Sequence, residues 1–220
     1  MRYATLLLLS LLTQPLPAHA QACGDLPPPS VTLRRIEEPV TLNTSYDYKS
    51  ITVLARKELQ SNQRVLGLTR AKSQIRFDVR AHIRRDRDGR WECVSPQITV
   101  SYGFSPMTVY VANEFPPGSC AYREIHAHEL QHVEVYLKHL DKITPTLKET
   151  LNKRFATDGP WVGATGEIQA RLNAEIEEHW LPFIRREIER ANAEQQEIDS
   201  PAEYDRIMRS CNGVIRRVIR

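Results

Sequence analysis

At 220 residues, 41 % hydrophobic and 26 % charged, the chain has the size and composition of one ordinary globular domain. A net charge of +3 makes no general case for nucleic acid or anionic lipid as a partner, and the basic Arg216, Arg217 and Arg220 read as a solvated tail. Beyond the N-terminus no stretch is apolar for long enough to span a bilayer.

The first twenty residues read as an export signal. Arg2 gives a basic start, Leu6 to Leu12 an apolar core broken only by Ser10, and Pro15 and Pro17 end it. Ala18-His19-Ala20 is the small-x-small pattern of a signal-peptidase site, so cleavage after Ala20 is expected. That leaves residues 21–220 as a single periplasmic or secreted domain. Acylation at Cys23 is the alternative, although Ala20-Gln21-Ala22 lacks the upstream Leu of lipoprotein signals. Cys23, Cys93, Cys120 and Cys211 are even in number and form no CxxC pair, which suits two disulfides in an oxidising compartment. Of the three pairings, Cys93–Cys120 with Cys23–Cys211 is favoured.

After an extended Pro27-Pro28-Pro29 lead-in, residues 31–36 and 40–46 have strand composition, and Ser50 is placed to cap a helix over 51–59. The strongest alternation is Ile75, Phe77, Val79, Ala81 and Ile83 against Arg76, Asp78, Arg80 and His82, a strand with one wet face. Asp86-Arg87-Asp88-Gly89 turns the chain into a partner strand over 91–102. A second turn at 103–106 leads to a third strand over 107–115, predicting an antiparallel meander.

From Pro116 the pattern becomes helical. Ser119 caps a helix running to about residue 143, where Thr144-Pro145 ends or kinks it, and 147–155 continues. After Asp158-Gly159-Pro160 a long returning helix covers about 165–198, with a kink at Pro182. Ser200-Pro201-Ala202-Glu203 opens a last short one. Strands at about 31–115 followed by helices at about 119–210 make the fold α+β.

Four of the seven histidines lie between 126 and 139, and His128-Glu129-Leu130-Gln131-His132 matches HExxH. Residues four apart share a helix face, so both imidazoles can reach one zinc ion while Glu129 beside them serves as general base. On a helical wheel Ile125, Val133, Tyr136, Leu140 and Ile143 occupy the same side. The polar cluster therefore falls on the face due to be buried, where an unpaired carboxylate is costly and a metal explains it.

Placed after a set of strands and on a helix, this motif resembles the zincin group of zinc metallopeptidases. The architecture is similar more loosely to bacterial secreted zinc-dependent proteases. The resemblance implies zinc held by His128 and His132, Glu129 as catalytic base, and a peptide or protein substrate. The metzincin extension is missing: Val135 and Lys138 stand at its Gly and His positions, and His139 sits roughly 10 Å further along the axis. His126 and His139 read as core or supporting residues.

A third ligand has to come from the returning helix. Hairpin packing about Asp158-Gly159-Pro160 sets residues 128–132 against about 185–189, which selects Glu187, an acid within an apolar stripe. Glu194, Asp199 and His179 are the alternatives, and Tyr122, Tyr204 and His139 are candidates for steadying an oxyanion. The functional expectation is an exported zinc-dependent peptidase. Its rival is a non-catalytic zinc-stabilised binding or scaffold protein, which needs a fourth protein ligand and no open position.

Overall fold

A computed structural model describes residues 23–55 and 64–219. The expected signal peptide, the end of the helix predicted over 51–59 and Arg220 lie outside them. The order is β1 (Ser30–Ile36), β2 (Thr41–Asn43), α1 (Tyr48–Ala55), β3 (Gly67–Arg85), β4 (Trp91–Val111), α2 (Cys120–Phe155) and β5 (Trp161–Ala164). Then come α3 (Glu167–Glu175), a π-helical turn (Ile176–Trp180), α4 (Leu181–Glu189), α5 (Ala191–Ile198), α6 (Pro201–Arg209) and, after a 3₁₀ turn, α7 (Val214–Val218). Strands precede helices, and the fold is α+β.

The sheet is organised around β4 and is not the meander expected. Residues 91–102 and 107–115 do not form a hairpin; the chain stays extended through 103–106 as one strand. β3 runs antiparallel along one edge of β4 for almost its whole length, from Gly67 beside Val111 to Arg85 beside Glu92. The other edge is shared end to end by β5 (antiparallel, Val94 beside Trp161), β1 (parallel, Ser30 beside Gln97) and β2 (parallel, Thr41 beside Thr108). Gly103 permits this, because a Cβ there would lie 2.8 Å from the Ile36 carbonyl oxygen and block the end of β1. A turn residue in the sequence is here a point of close strand approach. The strand expected over 40–46 shrinks to three residues. α1 starts earlier than predicted, with Asp47 Oδ1 accepting from the Ser50 amide, so Asp47 is the cap and Ser50 lies inside.

One sheet face carries the core. Val100, Tyr102, Val109 and Val111 pack with Ile125, Leu140, Leu147 and Leu151 of α2 and with Ile184 and Ile188 of α4. α2 is one helix of 36 residues, capped by Ser119, whose hydroxyl accepts from the Tyr122 amide. Pro145 does not end it. The Thr144 hydroxyl donates to the Leu140 carbonyl and lies 2.5 Å from the Tyr102 hydroxyl, securing the turn that proline weakens. The return, by contrast, is broken into pieces. Pro182 has no N–H for the preceding turn, and the backbone there widens so that Leu181 N–H bonds Ile176 O.

The disulfides differ from the favoured pairing: they are Cys23–Cys93 and Cys120–Cys211. Parallel pairing of β1 draws the lead-in toward the start of β4. α6 runs antiparallel to the opening of α2, with Arg206 paired to Glu124, which brings Cys211 to Cys120. The two disulfides suit a non-cytoplasmic environment. No helix among the described residues is long and apolar enough to cross a membrane.

Candidate metal centre

α2 supplies the first half of the site. His128, Glu129 and His132 are all buried, on the face that also carries Ile125, Val133 and Tyr136. The second half comes from the elbow between α5 and α6, where Asp199 ends α5 and Ser200 caps α6 by accepting from the Glu203 amide. Three donor atoms converge there. His128 Nε2 and His132 Nε2 are 3.3 Å apart, and Asp199 Oδ1 lies 3.2 and 3.3 Å from them. A tetrahedral ion with ligand bonds of about 2.0–2.1 Å requires donors about 3.3–3.4 Å apart. His128, His132 and Asp199 therefore form a group that can hold a metal ion.

The imidazole protons agree with this. Gln195 on α5 donates from Nε2 to the His132 carbonyl, which fixes its amide orientation, and its Oε1 lies 2.6 Å from His132 Nδ1. Nδ1 is then the donor in the neutral ring, and the Nε2 lone pair points at the Asp199 carboxylate, an arrangement that needs a cation or a proton between them. His128 Nδ1 lies within ion-pair distance of Glu203 Oε1, at 3.4 Å, but makes no hydrogen bond. Carboxylate or amide partners behind ligating histidines orient the rings and raise their basicity.

Without a metal, protons take that role. Burial opposes charging of His128 and His132, but Asp199 and Glu129 outweigh it and hold both imidazoles above their ordinary range. Burial also disfavours charge on Asp199, yet the two histidines hold its carboxyl far below the usual range. Asp199 is 45 % exposed, so the site opens to solvent on that side.

Glu129 stands apart from the three donors. It is only 4 % exposed, and burial pushes its carboxyl up despite the nearby histidines. The Thr69 hydroxyl of β3 lies 2.9 Å from its Oε2 and 2.9 Å from its carbonyl oxygen. Gly67, on the same strand face, leaves room for it; a Cβ there would sit 2.5 Å from Glu129 Oε1. A cleft of about 140 Å³ runs over these groups, walled by Leu66, Ile207 and Met208 and reached by Tyr204. Burial, then the charges of Asp199 and Glu129, push the Tyr204 phenol up to about 12, so it stays a hydrogen-bond donor at neutral pH.

Glu187, the favoured third ligand, is elsewhere. Its carboxylate pairs with Arg190 at 2.7 Å, and its carbonyl accepts from His139 Nε2 at 2.7 Å. The hairpin register behind that choice fails because the chain does not fold straight back. Residues 156–166 cross to the sheet and form β5 first, so His132 meets Gln195 rather than residues near 187. Glu194 pairs with Lys142 and His139, and His179 is exposed on the π turn, so of the four candidates only Asp199 reaches the two histidines. His139 is a buried tie between α2 and the return, and His126 stacks on Tyr122, as supporting residues would. Gln195 and Glu203 were not foreseen. Glu203 was visible only as the acid of a capping sequence, and nothing local marks Gln195. Comparison with protein-family models, curated proteins and solved structures returns no match.

Proposed function

We propose that this chain is an exported zinc-dependent hydrolase of peptide (amide) bonds, with His128, His132 and Asp199 holding the metal and Glu129 as catalytic base. The observation that carries the reading is the placement of Glu129. A buried carboxylate with a raised pKa sits beside three metal donors, is held by Thr69, and is not itself one of the donors. Zinc when bound would supply a Lewis acid that acidifies water and polarises a carbonyl.

The chain's own groups supply the rest. Glu129 Oε1, on the side facing Gly67, is free to take a proton from the attacking water and pass it to the departing amine nitrogen. The Thr69 hydroxyl anchors the other oxygen, so the carboxylate cannot swing away. Gln195 keeps the His132 Nε2 lone pair turned inward. Tyr204, a neutral phenol lining the same cleft, donates toward a carbonyl oxygen that gains negative charge. Tyr204 is preferred to the other two candidates because Tyr122 stacks on His126 and His139 is committed to Glu187 and Glu194.

The rival reading, a closed structural site, needs a fourth protein donor. Glu203, the other acid beside His128, lies behind it, against Nδ1, and cannot complete the set. Three donors with an exposed side support a catalytic arrangement. The test is to purify the mature chain with zinc, measure bound metal, and compare wild type with Glu129→Gln on a mixed peptide library. One zinc per chain in both proteins is expected, with activity lost by about 10²–10⁴-fold in the variant. Absence of stoichiometric zinc in the wild type, or equal cleavage by the variant, refutes the reading.

A further inference from the structure

β3 has two unlike faces. Its odd-numbered residues turn toward the helices, Gly67 and Thr69 against Glu129 and Phe77 and Val79 into the core. Its even-numbered residues turn the other way, and Arg70, Lys72, Arg76, Arg80 and Arg84 are all exposed there. Arg34 joins them from β1, since Arg34 sits beside Ser101 of β4 and Ser101 beside Arg76. The carboxylates on this face are few. Asp78 lies 3.5 Å from Arg80 with both side chains mostly exposed, and Asp25 pairs with Arg84. Arg34, Arg70, Lys72 and Arg76 make no ion pair among the described residues.

Arg70 and Lys72, on alternate residues, stand about 6.6 Å apart and repel, and Arg76, Arg80 and Arg84 follow at about 13 Å spacing. The sheet concentrates them into a line on a molecule whose net charge is only +3. Between that line and Arg34 lie Thr99 and Ser101, partly exposed on β4, and Thr32, exposed on β1. The surface is thus a flat strip of hydroxyls edged by cations.

We propose that this face docks a linear anionic polysaccharide, its acidic groups running along Arg70–Arg84 and its hydroxyls meeting Thr32, Thr99 and Ser101. Charge complementarity selects a polyanion, and side-chain hydroxyls set between the cations suit one that carries hydroxyls of its own between its acidic groups. The exposed apolar side chains on this face, Trp91 and Val162, are gathered at its Arg84 end and do not run along the strip, unlike the continuous apolar face that enters a bilayer. Aromatics on this face are confined to its two ends, Trp91 beside Arg84 and Tyr46 against Tyr110 near Arg70, so no run of rings spaced for successive bases lies along the strip. The face is turned away from the metal centre, so docking would leave the cleft open.

Binding of the mature chain to a soluble polyuronate tests this, with neutral dextran as control and salt at about 50 and about 200 mM. Binding to the polyuronate but not dextran is expected, weakened about tenfold or more at the higher salt. Arg70→Gln/Arg76→Gln/Arg80→Gln is expected to weaken binding at least about tenfold. Arg34→Gln/Lys72→Gln, a second set on the same face, should weaken it several-fold. Arg185→Gln/Arg186→Gln/Arg216→Gln removes equal charge from exposed helix positions and should change it less than about twofold. Thermal melts check that each variant folds. The proposal is overturned by an absence of polyuronate binding or by equal losses in the two triple variants. Tighter binding to phosphatidylglycerol vesicles or to duplex DNA than to the polyuronate also overturns it.

Discussion

α2 and the segments that return against it both contribute to the candidate metal centre but are built in opposite ways. α2 is one uninterrupted helix whose i, i+1, i+4 spacing delivers His128, Glu129 and His132 together. The return is a π turn and four short helices, and its contribution, Gln195, Asp199 and Glu203, falls on both sides of an elbow. The first half is a local property of helical geometry. The second exists only because Ser200 and Pro201 start a new helix there, and because Cys120–Cys211 and the Arg206–Glu124 pair hold that helix against α2.

The sharpest way to test this division is to remove one group from each half and one that the structure excludes. Asp199→Asn is expected to weaken zinc binding by about 100-fold or more, comparable to His132→Ala, whereas Glu187→Gln should leave it within about twofold. Zinc affinity by competition with a chromophoric chelator decides it. If Glu187→Gln weakens binding as much as Asp199→Asn does, the assignment of the elbow is wrong.

A smaller effect separates base from ligands. Gly67→Ala puts a methyl where Glu129 Oε1 now lies, so peptide cleavage should fall by about 10–100-fold with bound zinc unchanged. Loss of zinc along with activity would mean that the strand supports the ligands, not the base alone. Gln195→Leu keeps every proposed ligand but frees the His132 ring, and about 10-fold weaker zinc binding is expected.

The smallest expected effect concerns protons. In the metal-free protein both imidazoles have raised pKa values, so the folded state holds their protons more tightly than the unfolded state does. That stability is present below the unfolded value near 6.5 and is lost as pH rises through the folded values. Glu129, also raised, adds a loss of the same sign beginning above the ordinary glutamate value of 4.5. The melting temperature of the metal-free chain should therefore fall between pH 5.5 and pH 8, to a lesser extent in Asp199→Asn. The zinc-loaded chain should move the other way, because metal competes with the same protons. Melts at the two pH values, with and without chelator, measure both slopes.

Elements with strong local patterns were legible. The alternation in β3, the Ser119 and Ser200 caps, the buried face of α2 and the HExxH group all appear as read, because each depends on neighbours within a turn or a strand repeat. Gly103 was misread as a turn because glycine permits both a reversal and close packing, and only the presence of β1 decides between them.

What the amino-acid order determined by itself was a capped amphipathic helix with two histidines and a glutamate on its buried side, in a chain of strands followed by helices. Only the tertiary structure decided which distant carboxylate joins them. That choice rests on long-range register: β5 spends part of the connection on the sheet, the π turn before Pro182 shifts the helical phase, and a disulfide draws α6 against α2. Each is a contact between residues far apart in sequence, so no local pattern carried Asp199 in preference to Glu187.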